Sequence, residues 1–148
     1  MREKKDLGDL GEKIAEKFLK DKGYKILDKN FRYSNFGELD IIASKDNPSS
    51  AKAASFAEVA SATKVESAGK NVVFFEVKTR KMVGLSDFLP EDNITRDKQK
   101  KLIKLAEIYL SKNKINDVSW QIDILAIEVY RDGSYDIRHT ENAIGNMW

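Results

Sequence analysis

The stretch Val72-Val73-Phe74-Phe75-Glu76-Val77-Lys78-Thr79-Arg80 decides how the rest of the chain is read. It begins as a buried β-strand, apolar and β-branched, and is then interrupted by Glu76 and Lys78. Side chains alternate across a strand, so those two charges point to one side. Burying a carboxylate beside an ammonium is costly unless the two pair or bind something. A second apolar run, Glu38-Leu39-Asp40-Ile41-Ile42-Ala43, carries the same anomaly at Asp40.

The flanking sequence supplies the remaining elements. Leu7, Leu10, Ile14, Phe18 and Leu19 recur at helical spacing and predict an amphipathic helix over residues 6–22, stopped by Gly23. Residues 24–33 predict a first strand bent around 28–30, residues 34–37 a turn, residues 38–43 a second strand and residues 72–79 a third. Between the motif strands, residues 46–70 form an Ala/Ser-rich insertion with little bulky apolar content. It is expected to be a flexible loop with a short helix near 53–62. Thr95 is a candidate N-cap for a second helix reaching residue 112, with Leu102, Leu105, Ala106 and Tyr109 on one stripe. Residues 120–130, a turn at Arg131-Asp132-Gly133, and residues 134–139 complete a hairpin. The expected fold is α/β: one domain over residues 1–148, a mixed β-sheet flanked by helices, in the order αβββαββ.

Composition narrows the function classes. The chain has 148 residues, 41% hydrophobic and 34% charged, as expected of a soluble globular domain. No apolar run approaches membrane-spanning length. The chain has no cysteine, which excludes disulfides and thiolate metal sites and fits a reducing cytoplasm. His139 is the single histidine, which excludes a multi-histidine zinc site within one chain. A net charge of +2 does not by itself imply a polyanionic partner, so the clustering of basic residues matters more.

An acid on one strand followed by Glu-x-Lys on the next suits metal-assisted phosphodiester hydrolysis. That reaction needs positive charge at the phosphate oxygens and leaving alkoxide, and a deprotonated water. Mg²⁺ or Mn²⁺ supplies the charge when held by hard oxygen ligands. Asp40 and Glu76 are the candidate ligands if their strands are neighbours, and the backbone carbonyl of Val77 is a further one. Lys78 could orient or deprotonate water, or stabilise charge on the phosphorane.

Gly37-Glu38-Leu39-Asp40-Ile41-Ile42-Ala43 followed by Val73-Phe74-Phe75-Glu76-Val77-Lys78-Thr79-Arg80 resembles the PD-(D/E)XK nuclease superfamily, with its restriction-endonuclease-like fold. The likeness is strongest to the YraN family of small bacterial proteins, related to archaeal Holliday-junction resolvases. It extends to the opening L-G-D-L-G-E-K-I-A, the N-F-R at Asn30–Arg32, Lys98 on the second helix, I-D-I-L-A-I on the fourth strand and the closing H-T-E-N-A-I. The insertion departs from the family pattern, which joins the motif strands by a short loop. The resemblance implies an Mg²⁺- or Mn²⁺-dependent endonuclease acting on DNA, branched or flapped. By the same likeness Asp40 and Glu76 are metal-binding acids, Lys78 is the catalytic lysine, and Glu12 is a further acid, able to bind through water. Lys98 matches a lysine suited to a phosphate contact, and Gln99 is a weaker match. Resolvase relatives act as dimers, and an exposed sheet edge and Trp148 could support a homodimer.

Each residue also has a bland reading. A Glu-x-Lys pair is often an exposed ion pair of small energetic weight. Glu38 shares a face with Asp40 and is a weak metal ligand, or it holds the Gly37 turn. Asp123 is expected to be structural, bonding a neighbouring loop or a basic residue, and His139 to be a strand-end residue rather than a ligand. Arg80 and Lys81 could contact phosphate or simply be solvated. The run Arg96-Asp97-Lys98-Gln99-Lys100-Lys101 is the strongest basic cluster. Lysines at a helix N-terminus oppose the macrodipole, so Arg96, Lys98 and Lys101 are better explained by a bound phosphate. Two other classes remain open: a non-catalytic nucleic-acid-binding module that keeps the fold, and an interaction protein whose Ala/Ser-rich loop engages a partner.

Overall fold

The computed structural model describes residues 2–46, 70–83 and 94–144. The elements are α1 (Arg2–Asp21), β1 (Lys25–Arg32), β2 (Glu38–Asp46), β3 (Lys70–Lys81), α2 (Arg96–Lys112), β4 (Ser119–Val129) and β5 (Tyr135–Thr140). This is the expected αβββαββ order. The strands form one five-stranded sheet in the order β1-β2-β3-β4-β5. Every neighbouring pair is antiparallel except β3 and β4, which are parallel and joined through α2. The fold is α/β and restriction-endonuclease-like.

Each helix covers one face of the sheet. Ala15 and Leu19 of α1 pack with Ile41, Ala43, Val73, Phe75, Leu125 and Ile127. Leu102, Leu105, Ala106 and Tyr109 of α2 pack with Leu39, Ile42, Val72, Phe74 and Ile122 on the other. Consecutive residues of β3 therefore go to opposite layers, which is why Val72–Phe75 is apolar throughout. Thr95 caps α2 as expected, its Oγ1 accepting from the Lys98 amide at 3.2 Å.

Several boundaries differ from the sequence expectation. α1 begins at Arg2 because Arg, Glu and Lys continue a helix by propensity without any apolar stripe. β2 and β3 run on to the pairs Lys45↔Asn71 and Asp46↔Lys70, polar residues that satisfy the backbone ladder equally well. The edges of the expected 46–70 loop are thus strand. In β1 the register shifts between Ile26 and Asp28, just before the expected bend, while Asn30 lies in the left-handed region at φ 55°. The rest of the insertion, with its expected helix, and Trp148 lie outside the described residues.

Candidate functional site

β2 and β3 pair from Asp46↔Lys70 to Ile41↔Phe75, and the ladder stops there. The next residues across are Asp40 and Glu76. Instead of a ladder carbonyl, the Val77 amide finds the Asp40 carboxylate, donating to Oδ2 at 2.7 Å. The strands separate at the point where the sequence changes from apolar to charged. A residue's amide and carbonyl point to the same edge of a strand. The Val77 carbonyl therefore faces the side where β2 has left the ladder.

Glu76 is 4% exposed. Its Oε1 forms ion pairs with two ammonium groups, Lys78 Nζ at 3.4 Å and Lys98 Nζ at 3.6 Å. Its Oε2 is buried and, among the described residues, has no hydrogen-bond partner. Such an atom is costly in a folded protein unless an ion, a water or a further polar group meets it. Carboxylate oxygens from Glu12, Glu38 and Asp40 lie within 4.8 Å of one another. The structure thus gathers the acids of α1 and β2; Glu76 of β3 lies outside that group, close enough for its charge to act on Asp40, and carries both lysines. The hard-oxygen donors of Glu12, Glu38 and Asp40 fit a divalent cation.

The clustered, partly buried acids oppose one another's ionisation. Burial, then the charge of Glu76, pushes Asp40 up to about 8, against the pull of the Val77 amide. Burial likewise raises Glu12, reinforced by Glu38 and Asp9 and opposed by Lys29 and Asn30. A divalent cation would favour the ionised form of every one of these carboxylates.

The strand β1 contributes more than the sequence suggested. Arg32 pairs in register with Glu38 and grips its Oε2 through Nε at 2.7 Å and Nη2 at 2.6 Å. Phe31, between Asn30 and Arg32, packs edge-on against Tyr109 of α2. The N-F-R segment was visible in sequence, and its register with Glu38 was the missing information.

Other candidates are placed differently. Arg80 Nη2 lies 2.9 Å from the buried Glu128, which also accepts from Arg138 Nη2 at 3.0 Å. Arg80 is therefore part of a buried ion cluster rather than a simple solvated strand end. Gln99 donates its amide to the Ile94 carbonyl at 3.3 Å. Arg96 and Lys101 are exposed on α2. Asp123 is fully buried and accepts from the Asn142 amide, Gln121 Nε2 and His139 Nε2 at 2.7–2.8 Å. It bonds both the following loop and a basic side chain, a structural set of contacts. Asp123, His139 and Glu141 also bring ligand atoms within 4.8 Å, but both Asp123 oxygens are already engaged.

The sequence profile described as "Uncharacterised protein family UPF0102" matches residues 11–127. The chain is 36% identical over 127 residues to a UPF0102 protein of Caldanaerobacter subterraneus subsp. tengcongensis, covering 86% of this chain and 81% of the relative. It is 33% identical over 133 residues to one from Acetivibrio thermocellus, covering 90% and 82%. A third, from Alkaliphilus oremlandii, is 32% identical over 140 residues, covering 94% and 97%. The matched region contains both motif strands and α2.

Proposed function

The chain belongs to family UPF0102, the YraN family, and from that premise we propose that it is a metal-dependent endodeoxyribonuclease. The observation that carries this reading is the orphaned Oε2 of buried Glu76, beside an Asp40 pinned by the Val77 amide. Asp40, Glu76 and the Val77 carbonyl hold Mg²⁺ or Mn²⁺, with Glu12 acting through water and Glu38 as a lesser ligand. The cation, when bound, supplies Lewis acidity toward the phosphate oxygens. Lys78 orients the attacking water and stabilises the charge that develops on the phosphorane. Arg96, Lys98 and Lys101 at the start of α2 bind the DNA backbone, while Arg80 and Gln99 are held by Glu128 and the Ile94 carbonyl. The substrate is DNA, branched or flapped, cut by a homodimer in the cytoplasm. No helix among the described residues is long and apolar enough to cross a membrane.

Lys78→Ala tests the chemistry. It should lower cleavage of branched or flapped DNA by at least about 10²-fold, the size of loss typical for one transition-state donor. DNA affinity, measured by fluorescence anisotropy in Ca²⁺, should stay within a few-fold. Cleavage at the wild-type rate by Lys78→Ala would remove Lys78 from the mechanism. A wild-type protein that binds DNA in a salt-dependent way but cuts none of a panel of DNA structures with either metal would be the non-catalytic module.

A further inference from the structure

Lys98 breaks a local rule. It is the third helical residue of α2, after the Thr95 cap, Arg96 and Asp97. That position favours Glu or Gln, whose side chain can return to the cap, and the helix dipole disfavours a cation there. A residue placed against its local preference needs a compensating contact. The contact is Glu76 Oε1, 3.6 Å from the ammonium, and Lys98 is only one-third exposed. The ammonium also lies 3.8 Å from where a side chain at Gly37 would begin, so it passes between the entry to β2 and the motif strand. Gly37 is required by its φ of 103°, and a side chain there would meet the ammonium at ordinary contact distance.

We infer that Lys98 is a positioning residue: it holds Oε1 of Glu76 so that Oε2 is turned toward the cation. This rests on the metal-site reading above and assigns Lys98 a task separate from any phosphate contact. The two lysines on Oε1 divide the work. Lys78 is two residues from Glu76 on the same strand and moves with it. Lys98 comes from another element and fixes the carboxylate relative to the rest of the fold. Partners that orient a ligating carboxylate commonly set metal affinity by 10–100-fold.

The sign of the effect tests the idea. Simple Coulomb repulsion says that removing a cation beside a metal site tightens metal binding. Positioning says that removal weakens it. Titrating Mn²⁺ calorimetrically into the full chain without DNA decides between them. Lys98→Gln is the informative variant, because Thr95-x-x-Gln completes a capping box and α2 gains a local stabilising contact. We expect its Mn²⁺ dissociation constant to rise by about 10–100-fold, with the circular dichroism of the wild type. Lys98→Arg should recover most of the affinity, and Lys104→Gln, an exposed change on the same helix, should leave it unchanged. Equal or tighter binding by Lys98→Gln, or equal weakening by Lys104→Gln, overturns the inference. Wild-type binding with the expected variant pattern but no DNA cleavage would overturn the nuclease reading and leave the inference standing. A wild-type chain that binds no Mn²⁺ overturns both.

Discussion

Asp40→Asn should abolish metal-dependent cleavage while making the metal-free protein more stable near neutral and alkaline pH. The two effects have one cause. Asp40 is a carboxyl group that burial and the neighbouring Glu76 hold protonated up to about 8, against an ordinary value of 3.8. Asparagine keeps the oxygen that accepts the Val77 amide, so the strand junction survives. It removes the charge that burial penalises, and it cannot act as an anionic ligand. Cleavage with Mg²⁺ or Mn²⁺ should fall by about 10³-fold or more, as expected when electrostatic stabilisation of the transition state is lost. In EDTA, the pH dependence of the wild type follows from linkage. Below 3.8 the group is protonated in both folded and unfolded chains. Between 3.8 and about 8 only the folded chain keeps its proton, so folding stability falls as pH rises through that window and levels off above it. Glu12, also raised, contributes in the same direction. Melting temperatures measured in EDTA from pH 5 to pH 9 should fall for the wild type and fall less for Asp40→Asn. Added Mn²⁺ should stabilise the wild type increasingly toward pH 8, because binding displaces the proton from Asp40. A flat wild-type profile in EDTA would show that Asp40 is not held protonated by the fold.

The opposing demands on Asp40 explain how much of the site could be read from sequence. Period-2 alternation places Glu76 and Lys78 on one face, and both motif strands announce themselves by a charge in an apolar run. Their adjacency in the sheet follows from the family resemblance and the element order. Three relations had no sequence signal of their own. The ladder stops between Ile41 and Asp40, so Asp40 bonds an amide across the gap; no residue pattern marks a ladder's end. Lys98 reaches Glu76 only because α2 packs on the face of β3 that carries Phe74 and Glu76. Helical periodicity gave the stripe of α2 but not where its first turn would rest. Arg32 meets Glu38 through strand register, which the bulge in β1 shifts. The strand ends beyond Ala43 and before Val72 were missed for a simpler reason. Their pairing is between backbone groups, and their side chains are polar.

Gly11→Ala should cost more stability than an ordinary surface change in a helix, although alanine is the better helix former. At an exposed helical site that exchange stabilises by roughly 1 kcal/mol. Gly11, however, is buried on α1, and a Cβ there would stand 2.8 Å from Thr79 Cβ and 2.9 Å from its Cγ2. Turning the Thr79 side chain moves Oγ1 and Cγ2 but not Cβ, which is fixed to the strand, so that overlap stays. The helix must move away from β3, and overpacking of this kind typically costs about 1–3 kcal/mol. Thr79 follows Lys78, and Glu12 follows Gly11, so the crossing point of α1 and β3 is also what brings Glu12 to the acids of the site. Displacing the helix should therefore weaken Mn²⁺ binding as well as lower the denaturation midpoint. Thr79→Ala should restore part of both in the double variant, since it removes the overlapping Oγ1 and Cγ2 and leaves Cβ. Chemical denaturation and Mn²⁺ titration of the two single variants and the double variant measure that coupling directly. Additive losses would mean that Gly11 is chosen for something other than the approach of helix to strand.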